Sequence, residues 1–250
     1  MLKTIIQKLA QWITLRIQKL SFLLVVLVAV GYFNDISTFY ANFIKQKRAE
    51  DGLQLMNAGV YVKHVESVFG PPILVDYHDK NDYYQYTYSF KNFYMQVVFN
   101  MKGTCIFYSV TVKNPKFKPL LPFVKMQLGE TFKSYSDKSE FISVNMSSKV
   151  AQYQESFHLG NPGNYRHLVL AYNNLGASYH DFDFFDYEDV ARPKKAEIEK
   201  FREQAYPNVF GVTASYLDGK EVEQIFGIGV DFFTSRDLPD LNYLKIWYYG

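Results

Sequence analysis

Cysteine is almost missing from this chain of 250 residues, where Cys105 stands alone. One thiol closes no internal bridge, so a disulfide-stapled scaffold is excluded and neither redox compartment is demanded. With 14 glycines and 9 prolines the sequence cannot be collagenous or low-complexity. Acid is absent from the first nineteen positions, where Lys3, Lys8, Arg16 and Lys19 are unopposed; beyond them 23 of the 27 cations face all 25 acids. The body therefore has no basic excess, which argues against nucleic acid as a partner. No Gly-x-Ser-x-Gly, Walker loop, dinucleotide fingerprint or His-Glu-x-x-His occurs. No catalytic, cofactor-binding or metal-binding set is assigned, and no cofactor is expected.

What the sequence does have is rings. Twenty-two Phe and 21 Tyr within a 48% hydrophobic chain point to a β-rich body with enough apolar mass for a core. Leu20 to Phe33 holds no charge, and Leu20, Leu23, Leu24, Val25, Val26, Leu27 and Val28 form its centre. Fourteen residues fall short of the roughly twenty that span a bilayer. The run reaches that length if Ile36, Phe39, Tyr40, Phe43 and Ile44 continue the helix, with Asn34 and Asp35 near the interface. Ahead of it, Ile5, Ile6, Leu9, Trp12, Ile13 and Ile17 recur at helical spacing against the four cations, as in a segment lying in the headgroup plane. An uncleaved anchor is the leading reading. A signal peptide with Ala29-Val30-Gly31 as its exit and a buried core helix are the rivals. Lys and Arg near the ends favour a cytoplasmic N-terminus, hence a bacterial inner-membrane protein with a periplasmic body.

Three regions are expected: leader and anchor over 1–50, a helix and three-stranded meander over 51–115, and a second β-rich module over 116–250 with a helix at 194–206. In the first module a helix from Ile36 ends near Ala58-Gly59. A second runs from Val60 to Phe69, stopped by Gly70-Pro71-Pro72. After a polar loop over Asp76–Asp82, Tyr84, Tyr86 and Tyr88 alternate with polar residues, and residues 83–112 read as three antiparallel strands with hairpin-length linkers. Beyond Pro115, Pro119 and Pro122, strand patterns appear near 141–146, 150–159, 165–172, 175–182, 209–217 and 225–234.

Val65, Val68, Phe69, Gly70, Pro71 and Pro72, followed by Tyr84 to Tyr88, Phe99 and Gly103, resemble the BamE-like module of bacterial envelope proteins. The overall layout is similar to a family of bacterial single-anchor proteins with a repeated module of this kind. That resemblance implies an α+β fold, an N-terminal transmembrane helix followed by antiparallel meander modules on short helices, and no catalytic residues.

The stretch from His180 to Asp189 is the main candidate for chemistry. Asp181 and Asp183 share a face if extended, and with Asp186 could hold a hard cation through oxygen; a solvated acidic segment anchored by its Phe residues is the plainer reading. His158 and His167 flank one hairpin, where a cross-strand pair is reasonable, although two polar positions on a wet face explain them as well. Cys105 reads as an inert, half-buried thiol. The expected function is a membrane-anchored binding or assembly module of the bacterial envelope. Its partners would be the lipid bilayer and a protein or small ligand, with homo-oligomerisation possible through the N-terminal helices. The alternative is a membrane effector or sensor whose N-terminal helices oligomerise and perturb the bilayer on signal binding.

Overall fold

The structure is a computed structural model that describes residues 43–78, 83–136, 141–146, 151–158, 166–174, 176–183, 195–214, 216–217 and 220–221. The chain divides into two compact units, Met1–Lys47 and Arg48–Gly250, and the second holds the sheet. Helix α1 is described over 43–52 and runs into a 3-10 turn at Leu53–Leu55. Helix α2 spans Val62–Phe69 and buries Val65 and Phe69. Each fully buried side chain of this size contributes about 1.5–3 kcal/mol. Gly52 permits α1 to press against α2, because a Cβ there would lie 2.3 Å from Val68 Cγ1. Gly70, at φ 78°, ends α2 in a conformation that favours glycine, and its amide closes the last turn on Glu66 O at 2.8 Å.

Eight strands follow: β1 (Leu74–His78), β2 (Tyr83–Ser89), β3 (Phe93–Asn100), β4 (Cys105–Val112), β5 (Phe141–Met146), β6 (Ala151–His158), β7 (His167–Asn173) and β8 (Val209–Thr213). They form one antiparallel sheet in the order β1-β2-β3-β4-β8-β7-β6-β5. Helix α3 (Phe132–Tyr135) precedes β5, and α4 (Lys195–Gln204) lies between β7 and β8. A short separate ladder pairs β9 (Tyr216–Leu217) with β10 (Lys220–Glu221).

The period-2 pattern sorts the side chains. Tyr88, Phe93, Met95, Val97, Phe99, Tyr108, Val110, Leu168, Leu170, Phe210 and Val212 join Val65, Phe69, Phe132 and Phe201 of the helices in one core. The opposite face buries Val98, Phe107, Val169, Ala171 and Val209 among Thr87, Gln96, Ser109, Gln154 and Thr213. Among the polar side chains there, Ser109 Oγ donates to Gln96 Oε1 at 2.7 Å and Thr213 Oγ1 to Ile106 O at 3.3 Å. The β3–β4 turn is shaped by Asn100, whose Oδ1 accepts the amides of Lys102 and Thr104 at 3.1 and 3.0 Å, and by a register shift at Val98/Phe99.

This architecture corrects the expected fold class. The two meanders are not separate modules: β4 and β8 pair from Phe107↔Thr213 to Thr111↔Val209 and merge them into one sheet. Among the described residues no helix is long and apolar enough to cross a membrane, so the expected transmembrane helix is not found. Leu20, Leu23, Leu24, Val25, Val26, Leu27 and Val28 lie outside the described residues, as does the expected strand at 225–234. Two elements differ for local reasons. Residues 74–78, assigned in part to a polar loop, form β1 because Leu74, Val75 and Tyr77 continue the β2 pairing. The strand expected over 175–182 is absent from described residues 176–183; there Ala177 donates to Val112 O at 2.8 Å and Phe182 turns into the core.

Candidate functional site

The described part of the acidic stretch, His180 to Asp183, follows β7 and lies over the helical face. Tyr179 anchors it by donating to Phe117 O at 2.8 Å, and Phe182 packs on Tyr172 and Phe201 with ring centroids 4.6 and 5.5 Å apart. With these rings held inward, His180, Asp181 and Asp183 face solvent. Together with Phe182, Gln204 and Tyr206 they line an open cleft of about 550 Å³. His180 lies against the Tyr206 ring at 4.5 Å. Burial and the Asp181 charge push the Tyr172 phenol up, so it stays protonated beside the cleft. Asp181 and Asp183 are therefore brought to one wall, while Asp186 lies outside the described residues. Among the described residues no group of three or more His, Cys, Asp or Glu is placed to hold a metal ion. Two exposed carboxylates, an imidazole and a phenol can bind a polar or cationic ligand.

Other titratable groups on the helical face serve the core. Arg202 of α4 is buried against Glu155 of β6: its Nε donates to Oε1 at 2.7 Å and Nη2 to Oε2 at 3.4 Å, while Tyr153 also donates to Oε1. Arg202 Nη2 donates to Ser136 O at 2.5 Å and Nη1 lies 3.6 Å from Glu199. Burial pushes the Glu155 carboxyl up against the pull of the Tyr153 and Arg202 donors; the same carboxylate holds the Arg202 guanidinium above its ordinary value. Both side chains being inaccessible, the pair fixes α4 on the sheet and offers nothing to a substrate. Cys105 is fully buried, donates to Phe107 O at 3.5 Å, and is pushed up to about 12 by desolvation, which removes it as a nucleophile at neutral pH.

The other exposed feature is one sequence reasoning missed. Strand β1 is an edge of the sheet, and Ile73, Val75 and Tyr77 beside or within it are 48%, 38% and 67% exposed. Val75 pairs with Tyr86 and Tyr77 with Tyr84, so these side chains share the helical face just outside α2. Tyr77 and Tyr84 rings lie 5.9 Å apart, Tyr84 and Tyr86 5.6 Å. Tyr86 donates to Glu66 Oε1 of α2 at 3.1 Å and is pushed up to about 12 by burial and that bond. The result is an aromatic shelf between a sheet edge and a helix. The apolar run Ile73-Leu74-Val75 was the available signal, masked by the preceding Gly-Pro-Pro and the polar residues after it.

No protein-family model matches this sequence, and no curated relative does. Among solved structures, the chain is similar to a Streptococcus mutans protein provisionally described as a beta-lactamase inhibitor protein, at 16% identity, over 46% of this chain and 77% of that one, with a TM-score of 0.23. A score that low carries no argument about fold or function.

Proposed function

We propose that this chain is a non-catalytic binding or assembly module that takes an extended segment of a partner protein along the β1 edge, beside a bacterial lipid surface. The observation that carries the reading is the exposed edge itself. An edge strand presents unpaired backbone donors and acceptors, and proteins that must stay apart guard such edges with Lys, Pro or bulges. β1 reads Leu-Val-Asp-Tyr-His, with no Lys, Arg or Pro, and exposes Val75 and Tyr77. Backbone pairing would supply affinity, and the Tyr77, Tyr84 and Tyr86 shelf would supply side-chain selection. Support for the location comes from the unopposed Lys3, Lys8, Arg16 and Lys19 set among Ile5, Ile6, Leu9 and Trp12, a composition suited to anionic headgroups. The envelope setting rests on the resemblance carried by Val65 to Gly103. The burial of Cys105 and of the Glu155–Arg202 pair supports a non-catalytic role.

Photo-crosslinking tests it. The full chain, expressed in bacterial cells with a photoreactive residue at position 77, should give a discrete adduct with another protein, mapped to an extended segment of that protein. A crosslinker at the exposed Lys116 should not. Val75→Lys, which places a guard on the edge, should abolish the adduct. An adduct indifferent to Val75→Lys, or one consisting of two copies of this chain, would overturn the proposal.

A further inference from the structure

The antiparallel pairing of β6 and β7 sets two imidazoles edge to face. His158 and His167 are register partners at the end of a ladder that runs without interruption from Gln152↔Asn173. Their Nδ1 and Nε2 atoms are 3.5 Å apart, and the rings meet at 67° with centroids 5.0 Å apart. His167 is buried and His158 half-buried, so the strands and their surroundings fix both rings.

That separation has a second meaning besides a ring-to-ring hydrogen bond. Two imidazole nitrogens bound to one tetrahedral zinc at about 2.0–2.1 Å lie roughly 3.3–3.4 Å from each other, the edge of the coordination tetrahedron. The observed distance lies within a few tenths of an ångström of that edge, and direct pairing on adjacent antiparallel strands holds it there. We propose that His158 Nδ1 and His167 Nε2 bind one borderline divalent transition metal, Zn²⁺ in the first instance. Neutral imidazole selects zinc, copper and nickel over calcium and magnesium, which require oxygen ligands. Binding displaces whatever proton the two nitrogens share, because both must present lone pairs to the metal. A pair of protein ligands leaves coordination positions open, which makes the site exchangeable rather than a structural zinc knot. The site lies on β6 and β7, far along the sheet from β1, so it stands or falls independently of the edge-docking proposal.

The test uses the full chain stripped with EDTA and titrated with ZnCl₂ alone against a chromophoric zinc indicator. One equivalent should bind. His158→Gln should weaken binding at least tenfold, and His167→Gln should do the same, while His64→Gln, exposed on α2, should leave it unchanged. Because His167 is buried and its variant could unfold, ring-nitrogen NMR of the unmutated protein provides the second readout: zinc should shift the His158 and His167 resonances and leave that of His64 in place. Failure of the native chain to compete with the indicator, unchanged affinity in a folded His158→Gln variant, or zinc-induced shifts at other histidines only would each overturn the assignment.

Discussion

Replacing Arg202 by methionine isolates what holds α4 on the sheet. Met keeps the aliphatic volume but removes the Nε and Nη2 donors to Glu155, leaving a fully buried carboxyl with Tyr153 as its remaining identified donor. Breaking a buried pair by removing one partner costs about 3–5 kcal/mol. For a folded unit the size of Arg48–Gly250, each kcal/mol lowers the melting temperature by roughly 2–4 °C, so thermal unfolding followed by circular dichroism should show a fall of about 6–20 °C. The pH dependence gives the sharper signature. Burial already raises the Glu155 carboxyl, and losing Arg202 removes two of the causes that oppose the rise. A group whose folded value lies above its unfolded one contributes stability that is full below the unfolded value and is lost as pH rises through the folded value. The Arg202→Met protein should therefore gain stability relative to the native chain as the buffer moves from about pH 7 toward pH 5. Adding Glu155→Gln, which still accepts from Tyr153, should restore most of the loss and abolish that pH trend. A fall worth under about 1 kcal/mol, within the range of an exposed pair, or a loss independent of pH, would refute the claim that the carboxylate is buried against Arg202.

Three further outcomes are expected. Asn208→Ala should cost about 1–3 kcal/mol, measured by urea unfolding, because buried Asn208 accepts the Asn173 amide at 2.9 Å and donates to Asn173 O and Ala177 O at 2.7 and 3.1 Å. Phe69→Ala should cost about 3–5 kcal/mol by the same measurement, since Phe69 fills the space between Tyr88 and Phe90, with centroids 5.9 and 6.1 Å away. Cys105 should resist a thiol reagent at pH 8 in the native protein and react at once in denaturant, because its thiol is pushed up to about 12; rapid native labelling would contradict its burial.

The sequence showed its strands most clearly where period-2 alternation was uninterrupted. Residues 83–89, 93–100 and 105–112 form β2, β3 and β4, and 151–158 and 167–173 form β6 and β7, because rings and aliphatic side chains recur there at every second position, and the positions between them, polar or apolar, face the other side of the sheet. It failed where a strand's identity depends on a neighbour. β1 is short, follows Pro71-Pro72 and contains Asp76; only its pairing with β2 makes it a strand. Residues 176–183 carry an aromatic-rich pattern that reads as extended, yet Tyr179 and Phe182 serve as anchors over the helical face rather than as ladder residues. Pairing between β4 and β8 was beyond any local pattern, since strands about a hundred residues apart carry no mark of each other. The site divided in the same way: Asp181 and Asp183 could be flagged from their spacing, but the participation of Gln204 and Tyr206 depends on where α4 returns to the sheet. The His158 and His167 pair was legible because the two strands that carry it follow one another in sequence and pair directly.

The strand order also accounts for the position of the exposed aromatic shelf. From the central β4–β8 pair the sheet runs outward as β3-β2-β1 on one side and β7-β6-β5 on the other, so each half is a four-stranded meander whose last strand lies at the middle. A helix precedes each meander on the same face: α2 before β1, and the shorter α3 before β5. The halves then diverge. The second inserts α4 between β7 and β8, and Phe201 closes over Tyr153 at 4.6 Å and lies 6.1 Å from Phe132. No described helix intervenes between β3 and β4 in the first half, where a turn joins the strands directly. Tyr84 and Tyr86 consequently stay half-buried and Tyr77 exposed, whereas Tyr153 is buried. Exposed rings next to an unguarded strand follow from the half that lacks the extra helix, and an extended partner segment laid along β1 would cover there part of what α4 covers in the other half.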